Sequence, residues 1–174
     1  MKLIEALKKI KDLQRKAEDI RGKIGENCAD RDTDTPAYGT PEAQTKQVGE
    51  WLQSHSDILK EILKLRISIQ QTNLLTEVSV EVTDGNYVGK SIAAWIHRRK
   101  DLAKMEAAAW STLTGKGLQP QPYRTSATSE EVKIANIRKY YNQKERDEKV
   151  EAFTSEPSRI DAALEIANAV TELV

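Results

Sequence analysis

A single cysteine in 174 residues, Cys28, excludes an intrachain disulfide and fits a reducing compartment. There is no surplus of charge of either sign, because 27 Lys and Arg balance 27 Asp and Glu. Binding of nucleic acid or of an anionic membrane draws on surplus cations that displace counterions at phosphates, so nucleic acid is not expected as a partner. Long hydrophobic runs are missing too. No segment approaches the roughly 20 apolar residues of a membrane span, and residues 1–11 alternate charged and apolar side chains, unlike a signal peptide. The expectation is a soluble cytoplasmic chain, and a virion or particle location suits the same composition.

What the chain does have is helical periodicity. Leu3, Ala6, Ile10, Leu13, Ala17, Ile20 and Ile24 recur at steps of three and four, which predicts an amphipathic helix over residues 2–27. Residues 29–40 are rich in Asp, Thr, Pro and Gly and read as a loop. Thr40 then caps a second helix, with Pro41 at its first position and Glu42 near the positive helix end. That helix extends over residues 41–73, roughly 50 Å at 1.5 Å per residue. Its stripe is Val48, Trp51, His55, Ile58, Ile62, Leu65, Ile69 and Thr72. Two such stripes separated by one loop predict an antiparallel hairpin of the coiled-coil type.

Val78, Val80 and Val82 alternate with Ser79 and Glu81 ahead of Asp84 and Gly85, the pattern of a strand entering a tight turn. A third helix is expected over residues 90–114, with Ile92, Trp95, Ile96, Leu102, Met105, Ala109 and Leu113 on its inner side. A loop over 115–128 follows. Residues 132–141 read either as a strand, from the alternation of Val132 and Ile134, or as a helix begun at Ser129. The strand is preferred, paired antiparallel with residues 78–82. Asn142 followed by Glu145 resembles a capping box for a last helix, whose stripe is Val150, Phe153, Pro157, Ile160, Leu164, Ala167 and Val174. Pro157 should kink that helix or make it restart at Ser155. The predicted architecture is mainly α: one domain over residues 1–174, an antiparallel coiled-coil helical bundle with long helices and a small two-stranded β element. Its parts are the hairpin (2–73), the β element and third helix (77–114), the loop (115–129) and the C-terminal strand and helix (130–174).

Several short motifs in this order resemble the septicolysin-like family of small bacterial proteins. They are Met1-Lys2-Leu3 with Glu5-Ala6-Leu7, then Asp12-Leu13-Gln14, and Ile69-Gln70-Gln71-Thr72-Asn73. The Asp84-Gly85 turn before a helix with Arg99 and Asp101 continues the pattern. It ends on Ile160-Asp161, Ala167-Asn168 and Thr171-Glu172-Leu173. The resemblance implies a helical bundle with a small sheet element, and the family name implies cytolysis.

Motifs with chemical content are few. Gly85-Asn86-Tyr87-Val88-Gly89-Lys90-Ser91 imitates a phosphate-binding loop but has three residues between its glycines where four are needed to wrap a phosphate, so it reads as a turn and helix start. Asp30, Asp32 and Asp34 alternate like the opening of a calcium loop. Thr35 stands where such a loop needs Gly, however, and Pro41 where it needs a bidentate Glu, which leaves a solvated loop or a weak cation site. His55 falls on a helix stripe and His97 in a basic run, and neither forms a nucleophilic set with Ser, Cys or Asp. Arg138-Lys139-Tyr140-Tyr141 could touch phosphates and stack bases, or lie on an ordinary helix face. No enzyme activity, cofactor or metal is expected. The expected function is structural or assembly work, through self-association as a homo-oligomer or by docking partner proteins. A membrane-active cytolysin and a phage-particle component are the alternatives. The residues expected to form the core and oligomer seams are Ile10, Leu13, Ile20, Ile58, Ile62, Leu65 and Ile69.

Overall fold

The computed structural model describes residues 1–126 and 130–174. It is mainly helical, with two small antiparallel sheets. The chain divides into two compact units. The first comprises Met1–Val78, Ser91–Ala93 and Leu164–Val174; the second comprises Ser79–Lys90 and Ala94–Ala163.

The first unit is built on α1 (Leu3–Asn27) and α2 (Pro41–Leu75). The two run antiparallel: Gln44 Nε2 donates to the Asn27 carbonyl at 2.8 Å near one end, and Lys9 pairs with Glu61 at 2.6 Å towards the other. The stripes are what hold them together. Leu3, Ala6, Ile10, Leu13 and Ala17 are buried on α1, and Ile62, Leu65, Ile69 and Thr72 on α2. Burial of each large aliphatic side chain is worth about 1.5–3 kcal/mol. Thr40 caps α2 as expected, its Oγ1 accepting from the Ala43 amide at 3.2 Å. The chain end closes this unit. The Leu3 amide donates to the Thr171 carbonyl at 3.0 Å, and the Leu173 amide to the Met1 carbonyl at 2.8 Å. The buried Thr72 hydroxyl is fully used, donating to the Ser68 carbonyl and accepting from the Val174 amide. A buried polar group costs stability only when left unpaired, which this one is not.

In the second unit the sheet pairing differs from the sequence expectation. Strand β1 (Glu77–Thr83) pairs with β2 (Asn86–Ser91), and the separate strands β3 (Gln121–Arg124) and β4 (Val132–Ala135) pair with each other. Their register sets Pro122 opposite Ile134 and Tyr123 opposite Lys133. Residues 132–141 therefore do not partner residues 78–82. The physical reason is proximity: Asp84-Gly85 closes a minimal hairpin, with Gly85 at φ +76° and its amide held by Glu81 Oε1 at 2.7 Å. The imitation phosphate loop is thus the turn and strand β2, which runs directly into the helix that starts at Ile92. Strand β3 lies inside the segment expected to be a loop, and β4 covers only the first part of 132–141. The alternative helix start at Ser129 lies outside the described residues. Within β1 the alternation holds at its centre, Val80 being 1% exposed with Val78 and Val82 half-buried, although Glu81 is half-buried as well.

The third helical stretch begins at Ile92, later than expected, as α3 (Ile92–His97), and continues through a π-helical turn (Arg98–Leu102) into α4 (Ala103–Ser111). The π turn absorbs one extra residue, and the Ala103 amide bonds the Arg98 carbonyl five residues back. A regular helix would return Leu102 to the side of Trp95 after seven residues. Here the eighth, Ala103, is buried with Trp95, and Leu102 and Met105 are exposed. Helix α5 (Gln143–Val170) contributes to both units. It starts as expected at Asn142, whose Oδ1 accepts from the Glu145 amide at 3.1 Å. It runs through Pro157 without restarting at Ser155.

Candidate functional site

The residues expected at the seams all lie within the α1–α2 pair. Ile10, Leu13, Ile62, Leu65 and Ile69 are buried, and Ile20 and Ile58 are half-buried. They are engaged inside one chain.

A second apolar line on α2 is not engaged in this way. Leu52, Leu59, Leu63, Ile67 and Leu74 are between 46% and 65% exposed. At 100° per residue they cluster on one side of the helix, roughly 140° around from the buried line. Ser56 and Gln70 fill the remaining turns of this side and are also exposed. Next to it, a shallow cleft of about 320 Å³ between α1 and α2 is lined by Glu18, His55, Leu59, Ile62 and Arg66 among others. On the far flank Asp57 accepts from Gln53 at 3.0 Å and Lys60 at 2.9 Å, and those bonds hold its carboxyl below the usual range. The helix presents aliphatic side chains to water beside this local Gln53, Asp57 and Lys60 network. Such a surface recognises shape and apolar area. Denser apolar spacing on the buried side drew the sequence reading there, but the exposed line was discoverable by the same three-and-four stepping.

In the second unit the most tightly built polar feature is a three-residue cluster on the π turn, α4 and α5. Arg98 donates from Nε to Glu156 Oε1 at 2.7 Å and from Nη2 to Glu156 Oε2 at 2.8 Å. The same Nη2 reaches Glu106 Oε2 at 2.6 Å, and the guanidinium lies 5.4 Å over the Phe153 ring. The hydrogen bonds it donates to Glu156 and Glu106 raise the Arg98 pKa still further, so it is charged at every relevant pH. In return, the bond from Arg98 holds Glu106 below the usual glutamate range. Arg99 pairs with Asp161 at 2.6 Å, and Arg159 with Asp84 at 2.7 Å. Arg98 and Arg99 follow His97 in the basic run His97-Arg98-Arg99-Lys100, whose local pattern is that of a surface stretch. The available signal was Glu156, an acid set three residues after Phe153 and four before Ile160, on the inner side of α5. π turns recur at functional positions, but this arginine has both of its carboxylates in place and is occupied structurally.

The remaining candidates are dispersed. Asp30, Asp32 and Asp34 are exposed, and no group of three or more His, Cys, Asp or Glu among the described residues is placed to hold a metal ion. Cys28 is exposed and donates weakly to the Gly25 carbonyl. Lys90, the lysine of the imitation loop, lies 5.0 Å over the Trp95 ring. Tyr140 is exposed, while Lys139 is held by Gln143 and lies against Tyr141. No helix among the described residues is long and apolar enough to cross a membrane.

No protein-family model and no curated protein matches this chain. Among solved structures it is similar to a functionally unknown conserved protein from Corynebacterium diphtheriae, at 22% identity and a TM-score of 0.54. The similarity covers 100% of this chain and 99% of that one, and at this identity it shows a shared fold alone.

Proposed function

We propose that the chain is a non-enzymatic assembly protein, working through helix-to-helix association in the manner of a coiled coil. The observation that carries this reading is the exposed line Leu52, Leu59, Leu63, Ile67 and Leu74 on a 35-residue helix whose other apolar line is already buried. Five large aliphatic groups on one side of one helix cost solubility if left bare, and covering them removes apolar area from water. Ile4 and Leu7, 47% and 40% exposed on α1, extend the apolar supply of the same helix pair. The balanced total charge adds support, since near-zero net charge leaves little long-range repulsion between copies.

The experiment is the mass of the protein in solution, by light scattering or sedimentation at micromolar concentration. An oligomer that dissociates on Leu63→Glu is the expected result, the variant melting at the same temperature as the parent once both are diluted to single chains. A monomer over the whole range would overturn the proposal.

A further inference from the structure

We infer that the exposed side of α2 is a two-fold interface with a second copy of this chain, the two helices crossing antiparallel at Leu63; this rests on the assembly reading above. The seam Leu52, Ser56, Leu59, Leu63, Ile67, Gln70, Leu74 advances by 4, 3, 4, 4, 3 and 4 residues and reads the same from either end. A closed dimer uses one patch twice, so a residue at a given distance on one side of the axis must suit the residue at the same distance on the other. With the axis at Leu63, Leu63 meets Leu63 of the second copy, Leu59 meets Ile67, and Leu52 meets Leu74. Ser56 meets Gln70, so polar faces polar as well. Both halves repeat over eleven residues, three turns at 3.67 residues each, which keeps the seam nearly straight along the helix.

Size fits the same occupant. The seam is about 33 Å long and a helix with its side chains about 10–12 Å wide, or roughly 350 Å² of projected face per copy. Interdigitation raises the accessible area above that projection. This puts the two-copy contact at the low end of specific interfaces, about 1,000 Å² in total. Lys60 faces Arg66 of the second copy, a like-charge contact tempered by Asp57 beside Lys60. The dimer is therefore reversible and concentration-dependent.

Cysteine cross-linking tests the geometry. In a Cys28→Ser background, which removes the exposed native thiol, Leu63→Cys should form a disulfide-linked dimer on mild oxidation. Leu59→Cys alone should not, because its mate lies eight residues away along the seam, about 12 Å, beyond disulfide reach. Mixing Leu59→Cys with Ile67→Cys should restore the cross-link. If the parent is oligomeric by mass yet Leu63→Cys stays uncrosslinked, or Leu59→Cys crosslinks by itself, the two-fold geometry is wrong and the assembly reading stands. A parent that stays monomeric overturns both. A monomer that sediments with vesicles of anionic phospholipid would assign this face to lipid and overturn the inference.

Discussion

Arg98 holds Glu156 with two parallel hydrogen bonds, at 2.7 and 2.8 Å, and Glu156 is only 4% exposed. Neither residue lies near the other in sequence, and the pair joins the π turn to α5. Removing one member of a buried pair strands the other charge. Glu156→Ala should therefore destabilise the protein by about 3 kcal/mol in urea titrations. Replacing both, as Arg98→Met with Glu156→Leu, should recover most of the loss, because no buried lone charge remains and the Glu106 carboxylate, which loses its partner, is exposed to water. A single variant within about 0.5 kcal/mol of the parent would show that the pair is not structural.

The same arginine gives a pH dependence. Arg98 stays charged throughout, and its bond keeps the Glu106 pKa below that of an unfolded chain. A depressed carboxylate contributes stability that is present above its unfolded pKa and is lost as pH falls through its folded pKa. Acid titration of the urea midpoint should show this limb below the usual glutamate range, and Glu106→Gln should flatten it. An unchanged acid limb in that variant would contradict the assignment.

Neighbouring residues on α2 should behave oppositely. Ile62 is 6% exposed and Leu63 59%. Ile62→Asp buries an unpaired charge and should cost several kcal/mol, on the order of 3–5. Leu63→Glu should leave the stability of the separate chain within about 0.5 kcal/mol. Equal effects at both positions, measured by thermal melting at dilute concentration, would mean the two sides of the helix are misassigned.

Lys90 lies in strand β2 over Trp95, and the glycines around it do not form a phosphate cradle. ATP with magnesium should leave the melting temperature unchanged, since a ligand stabilises only what it binds. A dose-dependent rise that vanishes in Lys90→Ala would restore the phosphate-loop reading.

The three long helices were legible because a period of 3.6 persisted over many turns and because Thr40, Pro41 and Asn142 are strong local start signals. Strand β1 was legible from three alternating valines. Its partner was not, because Gly89 and Lys90 interrupt any apolar alternation in β2 and the Asp84-Gly85 turn acts only through the chain that follows it. The phase change at Ala103 was hidden for a different reason: a π turn inserts a residue without marking the sequence. Of the candidate site, the buried stripe was read and the second was passed over, since both lie on one helix and the denser masks the other. The Arg98–Glu156 pair depends on a tertiary juxtaposition of residues 58 positions apart, which no local pattern encodes.

Self-association through the exposed side of α2 is the central claim, and sedimentation equilibrium of the parent beside Leu63→Glu tests it most directly. The account predicts a parent whose mass rises with concentration from one chain towards two across the micromolar range, and a variant that stays at one chain and melts with the parent only at dilution where both are single chains. A parent that remains at 19.6 kDa at every concentration would contradict it.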